Sequence, residues 1–178
     1  MSHSIRRFAP TDQAAMLAFS ASLPEHDLLF LSRDLKHPRV VEAWVAAIGE
    51  GYIDSLIAED DGRIVASAAL VRDPLSWSAH VGEVRLLVSP DRRGAGLGRD
   101  LLEAILAIAA AHQLTKLVAQ MTPDQSGSVA LFESLGFRGE ALLRDHVCDR
   151  SGQLHDLVIL SHRSGAVAAS HQAFGWTE

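Results

Sequence analysis

The sequence predicts an α/β domain of α+β type, with about seven strands and about four helices in a single unit. Three observations carry this reading. Apolar residues recur at strand spacing in seven runs and at helical spacing in four, interleaved along the chain. The sequence Asp60-Asp61-Gly62 separates two of the strand-like runs, and Asp-Gly is a strong hairpin signal. Three glycines at alternate positions, Gly94, Gly96 and Gly98, stand where a strand-like run gives way to a helix-like one.

In order, Ser4 to Phe8 reads as a short strand, and Pro10-Thr11-Asp12 supplies helix-start chemistry with Thr11 as the expected N-cap. Ala15, Leu17, Ala18 and Leu23 give the first helix its apolar side, and Pro24 closes it. The segment Glu25 to Lys36 has a continuous apolar run and no clear period. From Pro38, residues Val40, Val41, Trp44, Val45 and Ile48 mark a second helix that Gly49 and Gly51 stop. Strands follow at Tyr52 to Glu59, Arg63 to Val71 and Val81 to Val88. The long helix after the glycines carries Leu97, Leu101, Ile105 and Ile108 on one stripe, broadened by Leu102 and Leu106, and should run to about His112, roughly 27 Å. Leu114 to Met121 is the next strand. Ser126 to Leu135 is a short helix with Val129, Leu131, Phe132 and Leu135 inward and Gly136 at its C′ position. Phe137 to Val147 and Leu154 to Leu160 complete the set, joined by a turn at Ser151-Gly152. The domain is assigned to residues 1–163, and 164–178 read as a loosely attached tail.

Bulk properties narrow the function classes. With 178 residues, 48% of them apolar and 21% charged, a packed globule is expected. No apolar run reaches membrane-span length and the start lacks a signal-peptide core, so no membrane partner is expected. A single cysteine, Cys148, excludes an internal disulfide and fits a reducing cytoplasm. The net charge of −6 argues against nucleic acid and allows a cationic partner. The nine histidines show no metal-ligand spacing, so no metal is expected.

The chemistry concentrates in Val88 to Arg99. A tight strand-to-helix turn with three missing Cβ atoms lets several backbone N–H groups converge on an anion at the positive end of a helix. Arg92, Arg93 and Arg99 add positive charge on the same rim. A P-loop needs Lys and Ser/Thr after its last glycine, and Arg99-Asp100 stand there. The dinucleotide fingerprint needs Gly or Ala where Arg99 stands. Arg93-Gly94-Ala95-Gly96-Leu97-Gly98 does match Arg/Gln-x-x-Gly-x-Gly/Ala. That pattern resembles the pyrophosphate loop of the GNAT acetyltransferases. Ala130-Leu131-Phe132-Glu133-Ser134-Leu135-Gly136-Phe137 resembles the same family's Ala-x-Tyr-Glu-x-x-Gly-Phe segment.

The resemblance covers residues 4 to 162 and implies a mixed, mostly antiparallel sheet whose central strands, Val81–Val88 and Leu114–Met121, splay apart. Acetyl-CoA would lie in the gap with its pyrophosphate on Arg93, Gly94, Ala95, Gly96, Leu97, Gly98 and Arg99. Its pantetheine arm would pair with the backbone of Leu86, Leu87 and Val88, and Gln125 and Phe132 would contact it from the short helix. A primary amine of a small molecule or protein would attack the thioester directly, in a monomer or homodimer. Glu83 is the first choice of base, with His80 as fallback. The family's usual acid, a tyrosine, is replaced by Phe132, and the only tyrosine, Tyr52, is far away in sequence. The rival reading is a CoA-binding sensor with little turnover. Glu25, Asp27, Asp34, Asp145, Asp149 and Asp156 lie where acceptors bind and are expected either to hold a cationic acceptor or to be merely solvated.

Overall fold

The computed structural model describes residues 4–163, so the expected tail lies outside the described residues. The elements are β1 (Ser4–Arg7), α1 (Gln13–Ser22), α2 (Pro38–Gly49), β2 (Ile53–Asp60), β3 (Arg63–Arg72), β4 (Val81–Val88), α3 (Leu97–Ala111), β5 (Lys116–Met121), α4 (Ser126–Ser134), β6 (Arg138–Cys148) and β7 (Leu154–Arg163). They build one seven-stranded sheet in the order β1-β2-β3-β4-β5-β7-β6. Every pairing is antiparallel except β4 with β5. Asp61 and Gly62 both take positive φ, 49° and 72°, as a twist-matched hairpin turn demands.

Helices cover both faces, which explains why β3 is an almost unbroken buried run from Ile64 to Leu70. On one face α3 and α4 pack Leu101, Leu102, Ile105 and Phe132 against Leu70, Val84 and Leu117. On the other, α1 and α2 pack Met16, Phe19, Val41 and Trp44 against Ile57, Leu87 and Leu157.

The first helix differs from its sequence reading in two ways. Pro10–Asp12 form a 3-10 turn ahead of α1, and the capping acceptor is the carboxylate of Asp12, which accepts the Ala9 N–H at 2.8 Å, rather than Thr11. Its buried face is Met16, Phe19 and Ser20 followed by Leu23, while Ala18 is exposed. Small residues blur the period, so the bulky pair Met16 and Phe19 sets the rotation. The ambiguous segment is a 3-10 turn, Glu25–Leu28, that buries Leu28, followed by irregular chain that buries Phe30 and Leu35. Helix α3 starts at Leu97, within the loop motif, and spans 15 residues, roughly 22 Å, shorter than the expected run.

The parallel contact between β4 and β5 is short. Val81, Gly82 and Glu83 pair with Lys116, Leu117 and Val118, and the ladder then stops. From Val84 to Val88, β4 stays bonded to β3 while β5 follows β7. The central strands therefore splay, as the resemblance implies. Gly82 closes the vertex: a Cβ there would stand 2.7 Å from Leu70 Cδ1 and Leu114 Cδ1 and 3.1 Å from Leu117 Cδ2.

Candidate active site

The splay opens into a cleft of about 570 Å³ that combines Leu86, Leu87 and Val88 of β4, the glycine loop, and Asp124 to Ser128 at the start of α4. The irregular chain after α1 closes the cleft with Leu23, Asp27 and Phe30. Gly94 and Gly96 sit at φ 76° and 86°, and a Cβ on either would meet nothing within 4 Å, so their bare backbone faces open space. The N–H groups of Leu97 and Gly98 precede any i−4 acceptor, whereas those of Arg99 and Asp100 turn back to the Gly96 carbonyl at 2.9 and 3.1 Å. Gly98 has a different reason to be glycine. Its Cβ would lie 3.1 Å from Leu131 and 3.4 Å from Leu86, so it lets α3 press onto β4 and α4.

The arginines of the loop are braced rather than bare. Arg93 donates to the Val88 carbonyl from Nε and Nη2 at 3.2 Å and pairs with Asp27 at 2.5 Å. Arg92 pairs with Asp60. Arg99 reaches Ser134 Oγ at 2.7 Å and Glu103 at 3.4 Å. An anion in the loop would thus meet backbone N–H groups first and guanidinium charge second.

Several expected site residues fall elsewhere. Leu97 is buried in the core, leaving only its N–H for the loop, and Ala95 is not among the residues that line this cleft. Phe132 is 3% exposed and stands edge-on to Phe137 at 5.0 Å, so its neighbour Leu131 forms the cleft wall instead. Gln125 lines the cleft at the head of α4 with Ser126.

Glu83 lies outside this cleft, on the α1–α2 face of β4 that it shares with Arg85 and Leu87. It lines a cavity of about 390 Å³ with Tyr52, Arg72 and Val118. Both its carboxylate oxygens accept from Arg85, at 2.8 and 3.1 Å. The chain's one tyrosine, remote in sequence, thus shares a cavity with Glu83. His80 is exposed in the turn before β4 and lines no described cavity; its carbonyl accepts from Thr115 and Lys116.

Sequence reading missed the contribution of the segment after α1. His26 reaches Asp124 at 2.9 Å and Thr122 Oγ1 at 3.1 Å, and its ring meets that of His155 edge-on at 5.3 Å. The hydrogen bond with Thr122, and then that with His26, hold the Asp124 carboxyl below its ordinary range. No local pattern signals these contacts, because three segments far apart in sequence make them: the turn after α1, the chain after β5 and the start of β7. Among the described residues no group of His, Cys, Asp or Glu is placed to hold a metal, and no helix is long and apolar enough to cross a membrane.

Comparison with known proteins addresses the family. The model of the Acetyltransferase (GNAT) family matches residues 21–137, which contain the cleft, the loop and the splay. The chain belongs to that family. Among its relatives is N-acetyltransferase 8 of Rattus norvegicus, 31% identical over 108 residues, covering 58% of this chain and 47% of that one. L-2,4-diaminobutyric acid acetyltransferase of Nocardia farcinica is 34% identical over 89 residues, covering 50% and 46%. The matches span about half the length of these curated relatives. In fold, the chain is similar to an acetyltransferase of Salmonella typhimurium solved with its cofactor acetyl-CoA, with a TM-score of 0.78 at 22% identity over 93% of this chain and 96% of that one. Among its described residues this GNAT chain has a seven-stranded mixed sheet and four α-helices, in a fold similar to that neighbour's.

Proposed function

We propose that this GNAT chain is an N-acetyltransferase that uses acetyl-CoA as acyl donor and a primary amine as acceptor, by direct transfer. The observation that carries the reading is the β4–β5 splay, whose open end meets the bare backbone at Gly94 and Gly96 and whose vertex lies at Glu83. Bound acetyl-CoA would supply an activated acetyl thioester. The N–H groups from Gly94 to Gly98 would hold its pyrophosphate. The edge of β4 unpaired with β5, at Leu86, Leu87 and Val88, would hold the pantetheine arm as an added strand. Val88 to Glu83 spans roughly 17 Å, so an arm laid along this edge ends at the vertex.

There a backbone N–H of β4 polarises the thioester carbonyl, and the amine nitrogen bonds to its carbon as the carbon–sulfur bond breaks. An ammonium acceptor first gives one proton to Glu83, and the proton displaced on amide formation accompanies the departing thiolate or passes to solvent. Phe132 is in the core and donates nothing, but a thiol of pKa about 8.5 leaves as the thiolate. Thiol release over a panel of amines tests this: wild type turns over at least one, and Glu83→Gln lowers kcat by about 100-fold or more. A fully active Glu83→Gln rejects Glu83 as base. The second reading, a CoA-binding sensor, is favoured by the double hydrogen bond that occupies Glu83. It predicts acetyl-CoA binding with no thiol release from any amine.

A further inference from the structure

We infer that the acceptor is an amine with a carboxylate beside it, an α-amino acid with an apolar side chain, whose carboxylate binds at Arg33 and Arg85 and whose amine meets Glu83. This rests on the transferase reading above and names its substrate class.

Of the carboxylates that could have held a polycation, Glu25, Asp27, Asp34, Asp149 and Asp156 are engaged within the chain, while Asp145 is held by its backbone N–H. Asp27 pairs with Arg93 at 2.5 Å, Asp34 with Arg150 at 2.5 Å, and Glu25 accepts the Arg150 N–H at 2.8 Å. Asp149 takes Ser151 Oγ at 2.6 Å and His155 at 2.9 Å, and Asp156 takes the Asp145 N–H at 2.9 Å. These bonds tie the β6–β7 turn to the segment after α1 and leave little acid to receive a substrate.

The α1–α2 face of β4 offers the opposite chemistry. A cavity of about 250 Å³ lies on this face against α2, with Arg33, Arg85, Ser32 and Trp44 as its polar residues and aliphatic side chains making up the rest. No carboxylate lines it. Arg33 makes no hydrogen bond or ion pair among the described residues. Trp44 is 7% exposed, and its indole Nε1 is a buried donor without a partner. A pocket of donors with apolar walls fits a carboxylate attached to a hydrocarbon side chain.

Arg85 also joins this cavity to the one that Glu83 lines, and the two share Ala47 and Ile53. Glu83 and Arg85 form a carboxylate–guanidinium pair, with Arg85 donating from Nε and Nη2. An amino acid zwitterion carries the complementary two charges on groups attached to one carbon. It exchanges one internal pair for two external ones, carboxylate to guanidinium and ammonium to Glu83. The exchange frees Glu83 to take the ammonium proton and sets the nitrogen at the vertex of the splay.

The test is thiol release with acetyl-CoA over matched sets: apolar L-amino acids, their carboxamides and the amines that lack the carboxyl group. At least one amino acid is expected to exceed its carboxamide by roughly 10- to 100-fold in kcat/KM, the range for a charged hydrogen bond. Arg33→Gln, at an exposed position, lowers kcat/KM for the acid by a larger factor than for the carboxamide, so the ratio between them falls. Trp44→Phe removes the unpartnered N–H at near-constant shape and likewise weakens the preference for the acid. Equal or better turnover of carboxamides or simple amines overturns the inference and leaves the transferase reading intact. So does an acid preference untouched by both variants. No thiol release from any amine, with acetyl-CoA still stabilising the fold, overturns the transferase reading and this inference with it.

Discussion

Gly96→Asp isolates the loop from the rest of the fold. Gly96 sits at φ 86°, and a Cβ there meets nothing within 4 Å, so the substitution costs backbone strain without a clash. That strain is about 1 kcal/mol for an aspartate, one of the residues that tolerate this region. For a domain of this size it lowers Tm by about 2–4 °C. The effect on acetyl-CoA is larger. A carboxylate about 5 Å from a phosphate charge is opposed by about 3 kcal/mol at an effective dielectric of 20, which weakens binding about 100-fold. Acetyl-CoA at 100 times its wild-type Kd stabilises wild type by about 2.7 kcal/mol, a Tm rise of about 5–10 °C. At the same concentration the variant gains about 0.4 kcal/mol, a rise of about 1 °C. Thermal melts with and without acetyl-CoA measure both quantities. A variant that keeps the wild-type rise would refute the assignment of the loop, as would a wild type with no rise.

Other residues make separate predictions. Gly82→Ala puts a methyl 2.7 Å from two leucine Cδ atoms at the vertex of the splay and should cost about 1–3 kcal/mol in urea unfolding; a neutral result would mean the vertex has room to spare. Asp12 accepts from Arg6 at 2.7 and 2.8 Å, and the Arg6 hydrogen bonds hold its carboxyl below the ordinary range despite burial. A depressed folded pKa contributes stability above the unfolded value of about 3.9, lost as pH falls through the folded value. Asp12→Asn should therefore cost about 1–3 kcal/mol at pH 7, and its stability should converge with wild type as the medium becomes strongly acidic; a gap independent of pH contradicts this. Arg93→Ala removes the tie between the Val88 carbonyl and Asp27, and should weaken acetyl-CoA binding about 10-fold while lowering Tm by only a few degrees. A large affinity loss with no change in Tm would instead make its charge a direct ligand.

The elements that sequence reading recovered most closely combine a strong period with explicit punctuation. The limits of β4 came out at Val81 and Val88 because a polar turn precedes it and Ser89-Pro90 ends it. The glycine loop was legible because residue identity at a few adjacent positions decides what its backbone reaches. The rotation of α1 was lost among alanines, and the segment after α1 has no period because tertiary contacts, through Phe30 and Leu35, hold it. Motif position does not say which way a side chain points: Phe132 and Leu97 occupy matching positions, and both side chains face the core. The meeting of Tyr52 with Glu83, and of His26 with Asp124, depends on sheet order and loop packing, which no short motif encodes.

The central claim, acetyl transfer from acetyl-CoA to an amine at the β4–β5 splay, is tested most directly by mass spectrometry of acceptor mixtures incubated with the purified chain and isotope-labelled acetyl-CoA. The account predicts an amine product that carries the labelled acetyl group, formed in step with thiol release and greatly reduced in Glu83→Gln. Thiol release that yields only free acetate, or a labelled amine formed equally well by Gly96→Asp and Glu83→Gln, would contradict it.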